Sequence, residues 1–293
     1  MRNQRGLTLI ELLVAVVLTA VIGLTVVRML QTMQRSSTGQ LQQVDMQSNV
    51  RSAALAIPTE LREIGYDSLT TFLPAGIDAI ESDLEEIQAT SVRFRASRGL
   101  GIYCEIDPSK TVLQIARPLY AHRDPDPSDT FLIFTEQEKL ISGDDQWLPL
   151  PVTAIDRNSN CGGRPAVALT TTNPILTSVV LIGAPVRYFE RMEYGLMVTG
   201  GRAWLGVRSI SAGDVNLTPV LGPLQNPGGF GLRYFDNNGL EVPAGGDPRL
   251  VRRVELTLNG ETEGRVSLAG ATQSQPAAWR LVTQVTLRNT LRQ

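Results

Sequence analysis

The sequence predicts an α+β protein in which a long N-terminal helix packs on an antiparallel β-rich head with two sheets or lobes. Three observations predict it. Residues 12–27 carry no charge, residues 29–57 contain no proline, and beyond Gly65 the spacing of apolar residues changes from three or four to two. With 293 residues, 42% of them hydrophobic, the chain has material for one large core or two modest ones. A formal charge of -2 gives no general attraction to nucleic acid, and no nucleic-acid partner is expected.

The first thirty residues read as a single membrane span. A helix from Leu7 to Leu30 would be about 36 Å long, enough for a hydrocarbon core of roughly 30 Å. Arg2 and Arg5 precede the apolar run, so the positive-inside rule places the N-terminus in the cytoplasm and the head beyond the membrane. No small-residue cleavage site follows Val27, which argues against a secretory signal peptide. The polar boundary lies in front, at "RNQRG", so processing that keeps the helix must cut there. Glu11 is an acid inside this run. A charge near a bilayer core costs about 2.5 to 3.5 kcal/mol on insertion scales, so it calls for a compensating cation.

"RG" followed by "LTLIELLVA" resembles the prepilin-peptidase motif of type IV pilins and type II secretion pseudopilins. The resemblance implies a leader at residues 1–6, cleavage after Gly6, N-methylation of the new terminus at Leu7, and an assembly role for Glu11. Leucine stands where the family usually has phenylalanine. Cleavage would create an amine at Leu7 one helical turn from Glu11, giving each subunit a cation and an anion in lipid. Staggered subunits can pair the amine of one with the carboxylate of the next while their apolar faces pack. The alternative is an ordinary signal anchor whose acid snorkels to the interface.

Beyond the membrane, Leu30, Met33, Leu41, Val44 and Leu55 form a sparse helical stripe, and the helix is expected to continue. From Leu7 to Ile57 it would measure about 77 Å, so its outer half must pack on something. Pro58 is expected to kink or interrupt it, "TELREI" to add a turn or two, and Gly65 to cap it, giving a helix over 7–65 with 7–30 in the membrane. Gly39 and Gly23 are weak spots; Gly23 suits either close helix contact or local melting.

The head follows. "SVRFRAS" (91–97), "GLRYFD" (231–236), "RVELTL" (253–258) and "RLVTQVTLR" (280–288) alternate like half-buried strands, and the apolar runs "TFLIF" (130–134) and "SVVLIG" (178–183) suit central ones. "TGG" at 199–201 and "DNNG" at 236–239 read as turns. Residues 67–90 and 121–129 lack regular patterning and look solvent-facing. We place one irregular, β-containing lobe at 66–175 and a second β lobe at 176–293, joined at "TTTNP".

"ELREIGYD", "GAPVRYFERMEYGLMV", "WLGVRSI", "VLGPL" and "VTLRN" resemble PilW-type minor pilins and the related GspJ-like minor pseudopilins. Such a resemblance implies a subunit of the tip or priming complex that starts fibre assembly. Its partners would be other minor pilins, the major pilin, prepilin peptidase, the inner-membrane assembly platform and a tip adhesin. The alternatives are a minor pseudopilin of a type II secretion system and a membrane-anchored periplasmic ligand-binding protein.

Little else in the sequence carries chemistry. Cys104 and Cys161 are the two cysteines, both beyond the span, where oxidation is favoured; a disulfide is expected, with two buried thiols the alternative. His122 is the single histidine, and neither a nucleophile elbow nor an HExxH, paired CxxC or P-loop pattern occurs. We therefore expect no enzyme, no cofactor and no metal site. "DRNSN" at 156–160 opens like a calcium loop, but Cys161 takes the place of the needed glycine and Val167 that of the closing glutamate. The acid run Glu81, Asp83, Glu85, Glu86 reads as a solvated helix face. Asn216-Leu217-Thr218 has the form of a glycosylation sequon and is given no weight.

Overall fold

The computed structural model describes residues 9–64, 83–136, 146–175, 180–266 and 275–287. Gly6, Leu7 and Gly65 lie outside the described residues. The architecture is one long helix followed by an antiparallel β-rich head.

Helix α1 (Leu9–Arg62) spans 54 residues, about 80 Å at the α-helical rise. It runs unbroken through Pro58, contrary to the expected interruption. The reason is packing: Ile57, Pro58 and Leu61 are all buried, so tertiary contacts hold the turn that proline weakens. The face that meets the head is Met46, Val50, Ala53, Ile57 and Leu61, spaced four, three, four and four residues apart. The stripe seen in the sequence is a different one. Leu30, Met33, Leu41, Val44 and Leu55 are 54 to 73% exposed and, at 100° per residue, lie roughly half a turn away from the buried face.

The head comprises β1 (Leu84–Ile87), β2 (Ser91–Ile106), β3 (Val112–Ala121), β4 (Thr130–Thr135), β5 (Gln146–Leu150), β6 (Val152–Cys161) and β7 (Arg164–Thr171). It continues with β8 (Pro185–Thr199), β9 (Arg202–Ser209), β10 (Thr218–Leu224), β11 (Phe230–Phe235), β12 (Glu241–Val242), β13 (Arg253–Val266) and β14 (Gln275–Thr286). Their main order is β12-β11-β13-β10-β9-β8-β2-β3-β7-β6, with every pairing antiparallel; β1 adds to β2, β14 to β13, and β4 to both β5 and β8. "TGG" makes the β8–β9 turn, where Gly200 and Gly201 supply positive φ. "SVVLIG" departs from expectation: its described part, 180–183, is a turn closed by the Ala184 amide donating to Leu181 O, and the strand begins only at Pro185.

Two cores share the paired strands β2 and β8. The first gathers Val92, Phe94 and Ala96 of β2 with Tyr194, Leu205, Val254 and Leu256 beneath the buried face of α1. The second gathers Tyr103, Leu113, Ile115, Val167, Val186 and Tyr188. Gly99 marks the change from one to the other, at a bulge opposite β8. A Cβ at Gly99 would collide with the Tyr188 hydroxyl and with Ala121, so the close approach of β2 to this phenol requires glycine. The hydroxyl donates to Arg123 O at 2.6 Å.

Around the second core the sheet rolls up. From β2 through β3 and β7 to β6 is three strand spacings, about 14 Å if flat. Yet Cys104 and Cys161 are disulfide-bonded with their Cα atoms 6.3 Å apart. The bridge therefore joins strands that only a strongly curled sheet brings together.

Candidate assembly site

Glu11 stands in the first turn of α1 as described and is exposed, on a segment long and apolar enough to cross a membrane and nowhere buried against the head. The polar side chains of that segment are satisfied within the helix: Thr19 Oγ1 donates to Ala15 O at 2.7 Å and Thr25 Oγ1 to Ile22 O at 2.7 Å. In lipid such bonds keep hydroxyls from being left unpaired. A Cβ built at Gly23 has no atom within 4 Å, so the described residues leave an open notch there. Gly39 differs, because its built Cβ would sit 3.2 Å from Val266 Cγ1, where the helix reaches the end of β13.

The outer half of α1 lands on the head at glycines. A Cβ at Gly260 of β13 would lie 2.7 Å from Val50 Cγ2 and 3.0 Å from Met46 Cγ. Polar contacts pin the last turns. Tyr194 Oη donates to Glu60 Oε2 at 3.0 Å, and Arg98 approaches the other oxygen of Glu60 at 3.8 Å. Arg98 also pairs with Glu190 at 2.6 Å, and Glu190 faces Arg123, which is paired with Asp129. A chain of charges thus runs from the helix end to the loop over the second core.

These environments move the proton equilibria. Burial pushes the Tyr188 phenol up to about 12 and raises Tyr194 as well, the latter helped by the Glu60 charge. Burial also pushes Glu190 upward, but hydrogen bonds from Ser209 and Arg98 outweigh it and hold the carboxyl below its ordinary value. Glu193 is lowered in the same way, with Arg93 and Arg208 at 2.7 and 2.6 Å overcoming the effect of burial. All these groups serve as links between elements.

His122 is 67% exposed and 3.8 Å from Glu63, a surface pairing at the helix end. Asp156, Asn158 and Asn160 lie in β6 rather than in a loop, with Asp156 Oδ1 accepting from the Asn158 amide. The acid run is not a solvated helix face. Glu81 lies outside the described residues, while Asp83 pairs with Arg95, Glu85 with Arg191 and Glu86 with Arg93, so arginines of β2 and β8 hold this segment as β1 and its approach. Sequence reasoning missed Tyr194, Gly260 and the arginine chain, which gain their meaning only from strand pairing.

Residues 1–27 match the family model of the prokaryotic N-terminal methylation motif, the signal of type IV pilins and pseudopilins. No curated protein and no solved structure matches the chain. The motif implies processing by prepilin peptidase and membrane assembly with other pilins, and with the apolar helix it fits a single-pass inner-membrane anchor of a pilin- or pseudopilin-like subunit.

Proposed function

We propose that this chain is a minor pilin, a structural subunit of the tip or priming complex that initiates a type IV pilus. The observation that carries the reading is the methylation motif with Glu11 exposed on the long apolar segment of α1. Cleavage after Gly6 frees the Leu7 amine, which is then methylated. That cation meets the Glu11 carboxylate of the adjoining subunit, offsetting the cost of holding either charge in lipid and setting the stagger between neighbours. The outward stripe from Leu30 to Leu55 extends the apolar surface of the span beyond the membrane and gives a neighbouring helix something to pack on. The head then lies in the periplasm before assembly and at the fibre tip afterwards, in contact with other minor pilins, the major pilin and a tip adhesin. The disulfide between Cys104 and Cys161 suits a head on the oxidising side of the membrane.

The test is Glu11→Ala. The variant should insert and be cleaved, with mass spectrometry reading a methylated Leu7 terminus, yet be lost from sheared fibres. Normal incorporation would refute the mechanism. Deletion of the gene should lower pilus number; loss of protein secretion with normal pili would instead mark a minor pseudopilin.

A further inference from the structure

A groove runs along the flank of α1 beside β10. It consists of two cavities of about 520 and 380 Å³ that meet at Asn49 and Gly222. Its origin lies in the sheet. β10 follows β9 from Thr218 to Leu224 but pairs with β13 only at Leu224, opposite Gly260, while residues 253–258 of β13 pair with β11 instead. The edge of β10 therefore stands away from β13, and α1 lies along the gap.

Three features define what fits there. The strand wall carries Pro219 and Pro223, which lack N–H donors, so an added strand would meet a broken ladder. The helix wall is Asn49, Ser52, Ala53 and Ala56, small side chains at i, i+3, i+4 and i+7 that let another helix come close. From Gln42 to Ile57 this wall is about 22 Å long, four helical turns. The deep half is apolar, with Ile57, Leu205 and Leu221 beneath Tyr194 and Trp204. The membrane-proximal half is lined by the acids Asp45, Glu261 and Glu263; Arg202 donates to Glu263 O at 2.9 Å and lies 4.0 Å from the Glu263 carboxylate, so the three acids outnumber the one nearby cation.

We propose that this groove seats the extramembrane α1 helix of a different pilin-type subunit. That helix presents apolar residues at i, i+3/i+4 and i+7 to the deep half and a basic residue to Asp45, Glu261 and Glu263. A second copy of this chain fits poorly. Its Arg51 lies over its own Trp279 ring, 5.4 Å from the centroid, while Arg62 shares the face of Val44 and Leu55, and the parallel register that brings Arg51 to Asp45 brings Arg62 to Ala56, over the apolar half. The inference rests on the assembly reading and names the partner element outside the membrane.

The experiment places a photo-crosslinking residue at Val220, on the exposed rim, in the full-length chain within cells that assemble fibres, and maps the adduct by peptide mass spectrometry. The expected adduct lies on an extramembrane α1 segment of another subunit that carries the methylation motif. Ala56→Arg, at an exposed helix position, should abolish that adduct while the disulfide and membrane insertion persist. Adducts on partner strands or loops, adducts on a second copy of this chain, or no adduct from fibre-incorporated protein would each overturn the groove assignment and leave the assembly reading standing. If the chain never enters fibres and Glu11→Ala behaves as wild type, the assembly reading falls and the groove assignment with it.

Discussion

Replacing Cys104 and Cys161 together by serine separates what the bridge contributes from what the second core contributes. The bridge closes a loop with a sequence separation of 57. In the chain-entropy treatment a loop of that length restricts the unfolded chain by about 4 kcal/mol, an upper figure because residual structure in the unfolded chain reduces it. For a head of this size about 1 kcal/mol moves the melting temperature by roughly 2 to 4 °C, so the double variant should melt about 8 to 16 °C lower. The curl itself should survive, because Tyr103, Ile115, Val167 and Tyr188 still fill the roll. Scanning calorimetry of the detergent-solubilised full chain reads the shift, and near-ultraviolet circular dichroism at low temperature reads whether the tyrosines remain ordered. A fall smaller than about 2 °C would refute the claim that the bridge constrains the strands around the second core. Loss of tyrosine signal in the cold would refute the claim that the core holds the curl unaided.

The junction of helix and head gives two more predictions. Gly260→Val would drive side-chain atoms into Val50 and Met46, an overpacking expected to destabilise by about 1 to 3 kcal/mol and to open the α1 junction to limited proteolysis; unchanged protection would contradict the close approach. The pH dependence follows from Glu193. Its folded-state pKa is held below the ordinary glutamate value, so its stabilising contribution is present at neutral pH and is lost as acidity carries it through its folded pKa, beneath about 4.3. Urea titrations between about pH 6 and 3 should show the fall, and Glu193→Gln should flatten it.

The sequence made some of this legible and hid the rest for physical reasons. The methylation motif is a linear string of residues, so it stands out in a linear reading. Period-two alternation marked β2, β11, β13 and β14, and the continuous apolar run "TFLIF" became β4 as expected. "SVVLIG" misled because apolar content alone does not fix extension where Gly183 takes a positive φ and the chain turns. The stripe from Leu30 to Leu55 was recognised, but periodicity reports that a face exists and not what it faces. The residues that do meet the head include Ala53, too small to mark a stripe, and their landing point is Gly260, which has no side chain to signal anything. The groove was beyond reach altogether, since it arises from the parting of β10 and β13, two strands whose separation in space is set by a third.

The distribution of surfaces around α1 bears on what kind of subunit this is. An anchored periplasmic binding protein needs one apolar helix face, the one that docks its own head, and gains nothing from others. Here the helix has that face at Met46 to Leu61, an outward stripe about half a turn away, and a groove flank about a third of a turn from the stripe. The stripe and the groove are not self-complementary, so they do not close a two-fold dimer. Unlike surfaces on one subunit suit unlike neighbours, and such contacts do not close on themselves as a two-fold pair does. A subunit that starts a fibre must engage unlike neighbours on unlike faces, and a groove that rejects its own copy while accepting a related helix prevents it from being repeated along the fibre. On this argument the arginines at 51 and 62 matter as much as the apolar residues between them, because they exclude the wrong neighbour from the seat that the right one fills.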